Sequence, residues 1–280
     1  MSEIFELFKT PPKLSLIRNF EGSSLSYHFG VIDQKTGFKG FAGDADVLVA
    51  QTKALFELVE RTVFNTIADG ETSSGWAAHS DPDKAKENAK FELIERDAVL
   101  CSWMLRKSPK IIKTVYFKSF KQDFKILEFG NGENFFVLGV VVEICGSRML
   151  LSTCAVTIQL CIAKLLVDSE RAFELLKIPN TISDAELLRH HINFCAMLPA
   201  DLEWLYQDGK GINYSKLNFD FRVFKVPLWN SDVAWVAKAK SLELQKLFYS
   251  NEPAELNHQR LITLSESLSV ELNSSLHPIL

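Results

Sequence analysis

The spacing of apolar positions changes several times along the chain, and each change marks an element. Residues 14–33 alternate apolar and polar, the two-residue period of a strand. They meet Gln34-Lys35-Thr36-Gly37, a turn, and Phe38 to Phe41 form the return strand. From Asp44 to Asn65 the period becomes helical, with Val47, Val49, Ala50, Ala54, Leu55, Leu58 and Val59 as the apolar face. Residues 66–82 are small and turn-rich. A second helix is predicted from Asp83 to Leu105, with Pro82 near its first turn. A β-rich region follows, in which Phe135 to Ile144 and Arg148 to Val156 flank Cys145-Gly146-Ser147 as a hairpin. Leu160 to Leu176 reads as a third amphipathic helix, and Ser183-Asp184 would cap a fourth over residues 185–197. Residues 200–250 mix aromatic runs with polar breaks and give no motif. Ala254 to Leu272 is helical in pattern and leads into a tail, Asn273 to Leu280. No low-complexity stretch or long linker interrupts the chain. The expectation is a single domain over residues 1–280, of mixed α+β class.

Two of these helices carry the same octapeptide pattern. Residues 54–61 read Ala-Leu-Phe-Glu-Leu-Val-Glu-Arg, and residues 89–96 read Ala-Lys-Phe-Glu-Leu-Ile-Glu-Arg. Positions i, i+3 and i+4 of a helix share a face. Glu57, Glu60 and Arg61 therefore point one way, and so do Glu92, Glu95 and Arg96. Acids on a stripe with apolar surroundings are expensive unless a cation meets them. Two readings remain open. In the bland one, Arg61 and Arg96 each neutralise an acid on the neighbouring helix. In the sharper one, the helices face each other, and four carboxylates supply the hard oxygen ligands that suit magnesium. The arginines then offer planar charged donors for phosphate. Di-iron bundles want Glu-x-x-His, whereas i+3 is Glu in both copies. There is no Walker A sequence, which excludes a P-loop nucleotide site.

Charge and cysteine content narrow the field further. The 31 basic and 35 acidic side chains leave a net charge of −4, which gives no electrostatic argument for nucleic acid. Five cysteines form no CxxC pair and read as reduced core thiols. The longest uncharged stretch, Met149 to Ala163, is too short and too polar to span a bilayer. The N-terminus lacks a signal peptide's basic start and apolar run, so the expected location is cytoplasmic and away from membranes. His190 and His191 are adjacent, diverge by about 100° on a helix, and make a poor ligand pair.

Ser73-Ser74-Gly75-Trp76-Ala77-Ala78, a short turn, and then the second octapeptide with Asp97-Ala98 resemble the core signature of the YcaO family. That signature runs Ser-x-Gly-x-Ala-Ala-Gly, an acidic turn, and a helix ending in Glu-x-x-Glu-Arg-Asp. The first octapeptide is similar to the family's earlier Ala-Leu-x-Glu-x-x-Glu-Arg helix. The resemblance is strongest over residues 38–105 and looser over 135–175. Its implied fold has mixed and antiparallel sheets packed with the paired carboxylate-bearing helices.

The resemblance implies an ATP- and magnesium-dependent enzyme that acts on backbone amides of a precursor peptide. With a Cys, Ser or Thr side chain as nucleophile the product is an azoline; with external sulfide it is a thioamide. By position, Glu57, Glu60, Glu92 and Glu95 match the metal-binding acids. Arg61, Arg96 and Arg171 match arginines beside the nucleotide, and Ser80 stands where the family has a nucleotide-contacting Asn. Two positions depart from the pattern. His79 replaces the glycine after Ala-Ala, and Lys84, where Glu is expected, would reach either phosphate or the metal's place. No catalytic base is assigned. A partner that binds the leader peptide and a homodimer are implied in the same way. The rival readings are a non-catalytic YcaO-like subunit that partners an active homologue or presents the substrate, and a plain α+β scaffold with structural salt bridges.

Overall fold

A computed structural model describes residues 10–19, 26–68, 72–118, 120–144, 147–177, 202–245, 256–265 and 272. The predicted helix over 185–197, His190-His191 and the tail from Asn273 lie outside these residues. The architecture is mixed α+β, with antiparallel sheets and, among the described residues, four α-helices. Contacts divide the chain into two compact units, residues 1–93 with 218–242, and residues 94–217 with 243–280.

The first unit holds strands β1 (Lys13–Asn19), β2 (Tyr27–Ile32) and β3 (Lys39–Asp44), helix α1 (Val47–Ile67) and strand β4 (Trp76–His79). It also holds β10 (Asp220–Pro227) and β11 (Val233–Lys240). Strands β1, β2 and β3 form one antiparallel sheet, and β10, β11 and β4 form another. Asp46 caps α1, its carboxylate accepting from the Leu48 and Val49 amides at 2.8 and 3.0 Å. Helix α1 buries Ala50, Ala54, Leu58, Val59, Thr62 and Val63, positions three, four or one apart that form a single stripe. That stripe shares a core with Phe29 and Val31 of β2, Trp76 of β4, and Val226, Ala234 and Val236 of β10 and β11. Gly40 of β3 permits the close approach of α1. A β-carbon there would lie 2.3 Å from the Ala54 carbonyl oxygen.

The second unit is built on the antiparallel order β5 (Lys110–Phe117), β6 (Gln122–Gly132), β7 (Phe135–Ile144) and β8 (Ser147–Ala155). A two-residue strand β9 (Ile212–Asn213) pairs with β6 in parallel. Helix α3 (Ile158–Lys177) covers β7 and β8, where Cys161, Leu165 and Ala172 meet Leu138, Val140, Met149 and Leu151. A short 3₁₀ helix (Glu203–Tyr206) and helix α4 (His258–Ser265) complete it.

Helix α2 (Pro82–Leu105) contributes its first part to one unit and its second to the other. Asp81 caps it, accepting from the Asp83 and Lys84 amides at 2.8 and 3.0 Å. In the second unit Asp97 is fully buried and paired with Arg260 of α4 at 2.7 Å. It also accepts from the Tyr214 hydroxyl at 2.6 Å and the Gln245 amide at 2.7 Å. The buried carboxylate is therefore satisfied on both oxygens, as burial of a charge demands. Sequence patterning places this aspartate but not Arg260, which is 163 positions away.

Arg260→Ala should cost ~3–5 kcal/mol in a urea titration, because it leaves an uncompensated buried carboxylate. A loss below about 1 kcal/mol would show that Tyr214 and the Gln245 amide satisfy Asp97 without the cation.

Candidate functional site

In the first unit Glu92 and Glu57 lie near enough to Glu60 for their charges to act on it. Glu60 is half-buried on α1, and its carboxyl is pushed well above the usual carboxylate range. Loss of water is the largest cause, and the negative charges of Glu92 and then Glu57 add to it. The Arg61 charge and a hydrogen bond from the Ala78 amide act the other way, and less strongly.

Each neighbouring acid has its own anchor. Glu57 pairs with Arg61 at 2.6 Å, one turn further along the same helix. Arg61 thus neutralises its own helix, not the neighbouring one. Glu92 Oε2 accepts from the amides of Gly75 and Trp76 at 2.9 and 3.1 Å. The Ser-Ser-Gly-Trp turn is shaped for this contact. Gly75 has φ of +77°, and a β-carbon on it would sit 2.7 Å from the Leu93 side chain and 2.8 Å from the Ala239 carbonyl oxygen. From β11 the buried Lys238 donates to the Ser74 carbonyl, and the Ala239 amide donates to the Gly75 carbonyl at 2.8 Å. Lys238 also lies over the Trp76 ring, 5.3 Å from its centre. These are contacts that sequence patterning missed. Their one local signal is a lysine at a buried position of the strand, among Val236, Ala237 and Ala239.

The two departures from the family pattern have plain local roles. The imidazole of His79 stacks on Phe56 of α1, with centroids 5.9 Å apart, and its Nδ1 accepts from the Asp81 amide. Lys84 is exposed and paired with Glu87 at 2.7 Å on its own helix. Ser80 is exposed between β4 and α2.

In the second unit Glu95 accepts from the Ser152 hydroxyl of β8 at 2.7 Å. Arg96 is half-buried on the next helical position. Arg171 of α3 lies 3.3 Å from Asp168, three positions away on the same helix. Burial pushes the Cys161 thiol up to about 11, and Cys101 is raised well above its ordinary value by burial and the Asp97 charge. Cys101, Cys154 and Cys161 are buried and form no disulfide, as expected of core thiols.

Among the described residues no three His, Cys, Asp or Glu side chains stand ready as a metal-ligating cluster. Carboxylate oxygens are the donors that a hard divalent cation takes, and a positive charge beside Glu60 would offset the negative charges of Glu92 and Glu57.

No family model matches the sequence, and no curated protein matches it. Solved structures do match. One chain of the E. coli microcin synthetase McbBCD complex superposes with TM-score 0.64 at 11% identity, covering 86% of this chain and 90% of that one. YcaO from Methanopyrus kandleri, bound with AMPPCP and Mg2+, gives 0.57 at 10% identity, with 86% and 87% covered. A heterocyclase in complex with substrate and cofactor gives 0.65 at 10% identity, covering 95% of this chain and 54% of that one. The chain carries the YcaO-like fold.

Because the folded state raises the proton affinity of Glu60, it holds more protons there than the unfolded chain. Stability from this group is present at low pH and falls as pH rises through the raised value. Glu60→Gln should therefore raise Tm by a few degrees at pH 8, with a smaller gain at pH 5. A variant less stable than the parent at pH 8 would contradict the crowding.

Proposed function

We propose that this chain takes part in ATP- and magnesium-dependent activation of backbone amides, forming azolines on a ribosomally made precursor peptide. The observation that carries the reading is the half-buried Glu60 under the negative charges of Glu92 and Glu57, on helices whose acid-arginine pattern repeats. Support comes from the fold. Similar structures include a YcaO bound with AMPPCP and Mg2+, a microcin synthetase complex with pro-MccB17 bound, and a heterocyclase with substrate and cofactor.

In this reading Glu57, Glu60, Glu92 and Glu95 hold magnesium. Arg61, Arg96 and Arg171 balance nucleotide charge, with Ser80 and Lys84 at the rim. ATP supplies a phosphoryl group that turns an amide oxygen into a good leaving group. The chain's own residues position and neutralise. Arg61 can turn from Glu57 to a phosphate at small cost, since an exposed i,i+4 pair is worth only ~0.3–0.5 kcal/mol. The Gly75 and Trp76 amides fix one oxygen of Glu92 and so limit its rotation. Recognition of the precursor's leader is assigned to a partner protein, and assembly to a homodimer.

A second reading is favoured by the Lys84–Glu87 pair and the His79–Phe56 stack, which turn both departures to local structural use. It makes the chain a non-catalytic YcaO-like subunit beside an active homologue.

Calorimetry with AMPPCP and Mg2+ should show cation-dependent binding. ATP consumption that rises with a Cys-rich precursor peptide belongs to the enzyme alone; binding without it supports the subunit. Glu60→Gln should lower turnover by more than the roughly 10–100-fold that loss of an outer-shell partner costs, while the protein stays folded. Absence of nucleotide binding under all cation conditions would overturn the enzyme reading and leave the non-catalytic subunit.

A further inference from the structure

Strand β5 stands at the edge of its sheet, and among the described residues it pairs with β6 alone. An edge strand presents a row of main-chain N–H and C=O groups on its open side, a template for one more strand. From Lys113 to Phe117 the register with β6 runs without a shift. Cross-strand partners share a face. Val115 and Phe117 therefore point with Phe124 and Ile126 into the core that α3 covers. Thr114 and Tyr116 point the other way, with Lys125 and Asp123. Tyr116 is 56% exposed, and Lys125 lies over the Tyr206 ring, 4.9 Å from its centre.

Charge on this edge is one-sided. Residues 110–125 hold five lysines and a single acid, Asp123, in a chain whose net charge is −4. Lys110, Lys113, Lys118 and Lys121 are exposed, and none of them forms an ion pair among the described residues. Glu128, opposite Lys110, is buried and accepts from the Asn131 side chain at 2.8 Å.

These facts discriminate among occupants. A second copy of β5 would set a basic edge against a basic edge, which is how lysines keep sheets apart. A nucleic-acid backbone would gain from the lysines, but it makes no use of the main-chain row and would meet the Asp123 carboxylate beside Tyr116. An acidic peptide in extended form uses both features. Main-chain hydrogen bonds supply affinity, and alternate side chains supply selectivity. Acids on one face of the added strand would lie beside Lys113, and apolar side chains on the other beside Tyr116.

We propose that the open edge of β5 binds an extended acidic segment of a partner polypeptide by strand addition, with Lys110, Lys113 and Lys118 setting the preference for acid. This surface lies wholly within the second unit and involves none of the motif acids.

Fluorescence anisotropy tests it, with a labelled peptide of alternating Glu and Val titrated with the full chain. Binding should weaken as salt rises. Lys113→Glu should weaken it about two- to tenfold, and Lys110→Glu, Lys113→Glu and Lys118→Glu together by more than about tenfold. Lys35→Glu, the same charge change in the β2–β3 turn, should bind like the parent. If the triple variant does not fold, the comparison of Lys113→Glu with Lys35→Glu decides the role of charge. The same peptide methylated on its backbone nitrogens keeps every charge, donates no main-chain hydrogen bond and should not bind. Hydrogen exchange should slow at the outward amides of Lys113–Phe117 when the unmethylated peptide is bound. No binding of the Glu-Val peptide, equal binding of its methylated form, or parent-like binding by both charge variants would overturn strand addition. Tighter binding of an oligothymidylate than of the peptide would overturn it in favour of nucleic acid.

Discussion

Partial burial of the Glu60 carboxyl beside the negative charges of Glu92 and Glu57 is the constraint from which the functional account follows. The raised proton affinity of Glu60 is the visible consequence, since dehydration and the charges of Glu92 and Glu57 outweigh Arg61 and the Ala78 amide.

The remaining polar interior of each unit keeps the motif residues in place. In the first unit Lys238 and the Ala239 amide hold the turn before β4, and that turn presents two amides to Glu92. In the second, the Asp97–Arg260 pair fixes the helix just beyond Glu95 and Arg96. Buried groups of this kind are weak sources of net stability but strong determinants of geometry when every partner is satisfied. Rigid placement is what a site built from positioning and charge neutralisation requires.

Local pattern made much of the fold legible. Helices α1, α2 and α3 and the β7–β8 hairpin fall within a few residues of the bounds that periodicity predicts, because each has an amphipathic or alternating run long enough to declare its period. The strand pattern over residues 14–33 resolves into two paired strands, β1 and β2. Strand β4 was hidden in the stretch read as turns. It is four residues long and exists through pairing with β11, more than 150 positions away. Strands β10 and β11 lay in the stretch that gave no motif, because aromatic residues obscure their alternation; they pair with each other locally, and only the pairing of β11 with β4 is long-range. Within the candidate site, the repeated octapeptides named Glu57, Glu60, Glu92 and Glu95. They could not name Lys238 or Ser152, whose partners are set by sheet register. Nor could they show that Arg61 and Lys84 would pair along their own helices, which is a matter of rotamers and not of spacing.

The most direct measurement is a carbon-13 NMR titration of the Glu60 side-chain carboxyl, with and without Mg2+ and AMPPCP. The account predicts a carboxyl that titrates well above the usual range in the free protein and shifts strongly downward when cation and nucleotide are added. A Glu60 that titrates like an ordinary exposed glutamate, or one whose midpoint ignores both ligands, would contradict it.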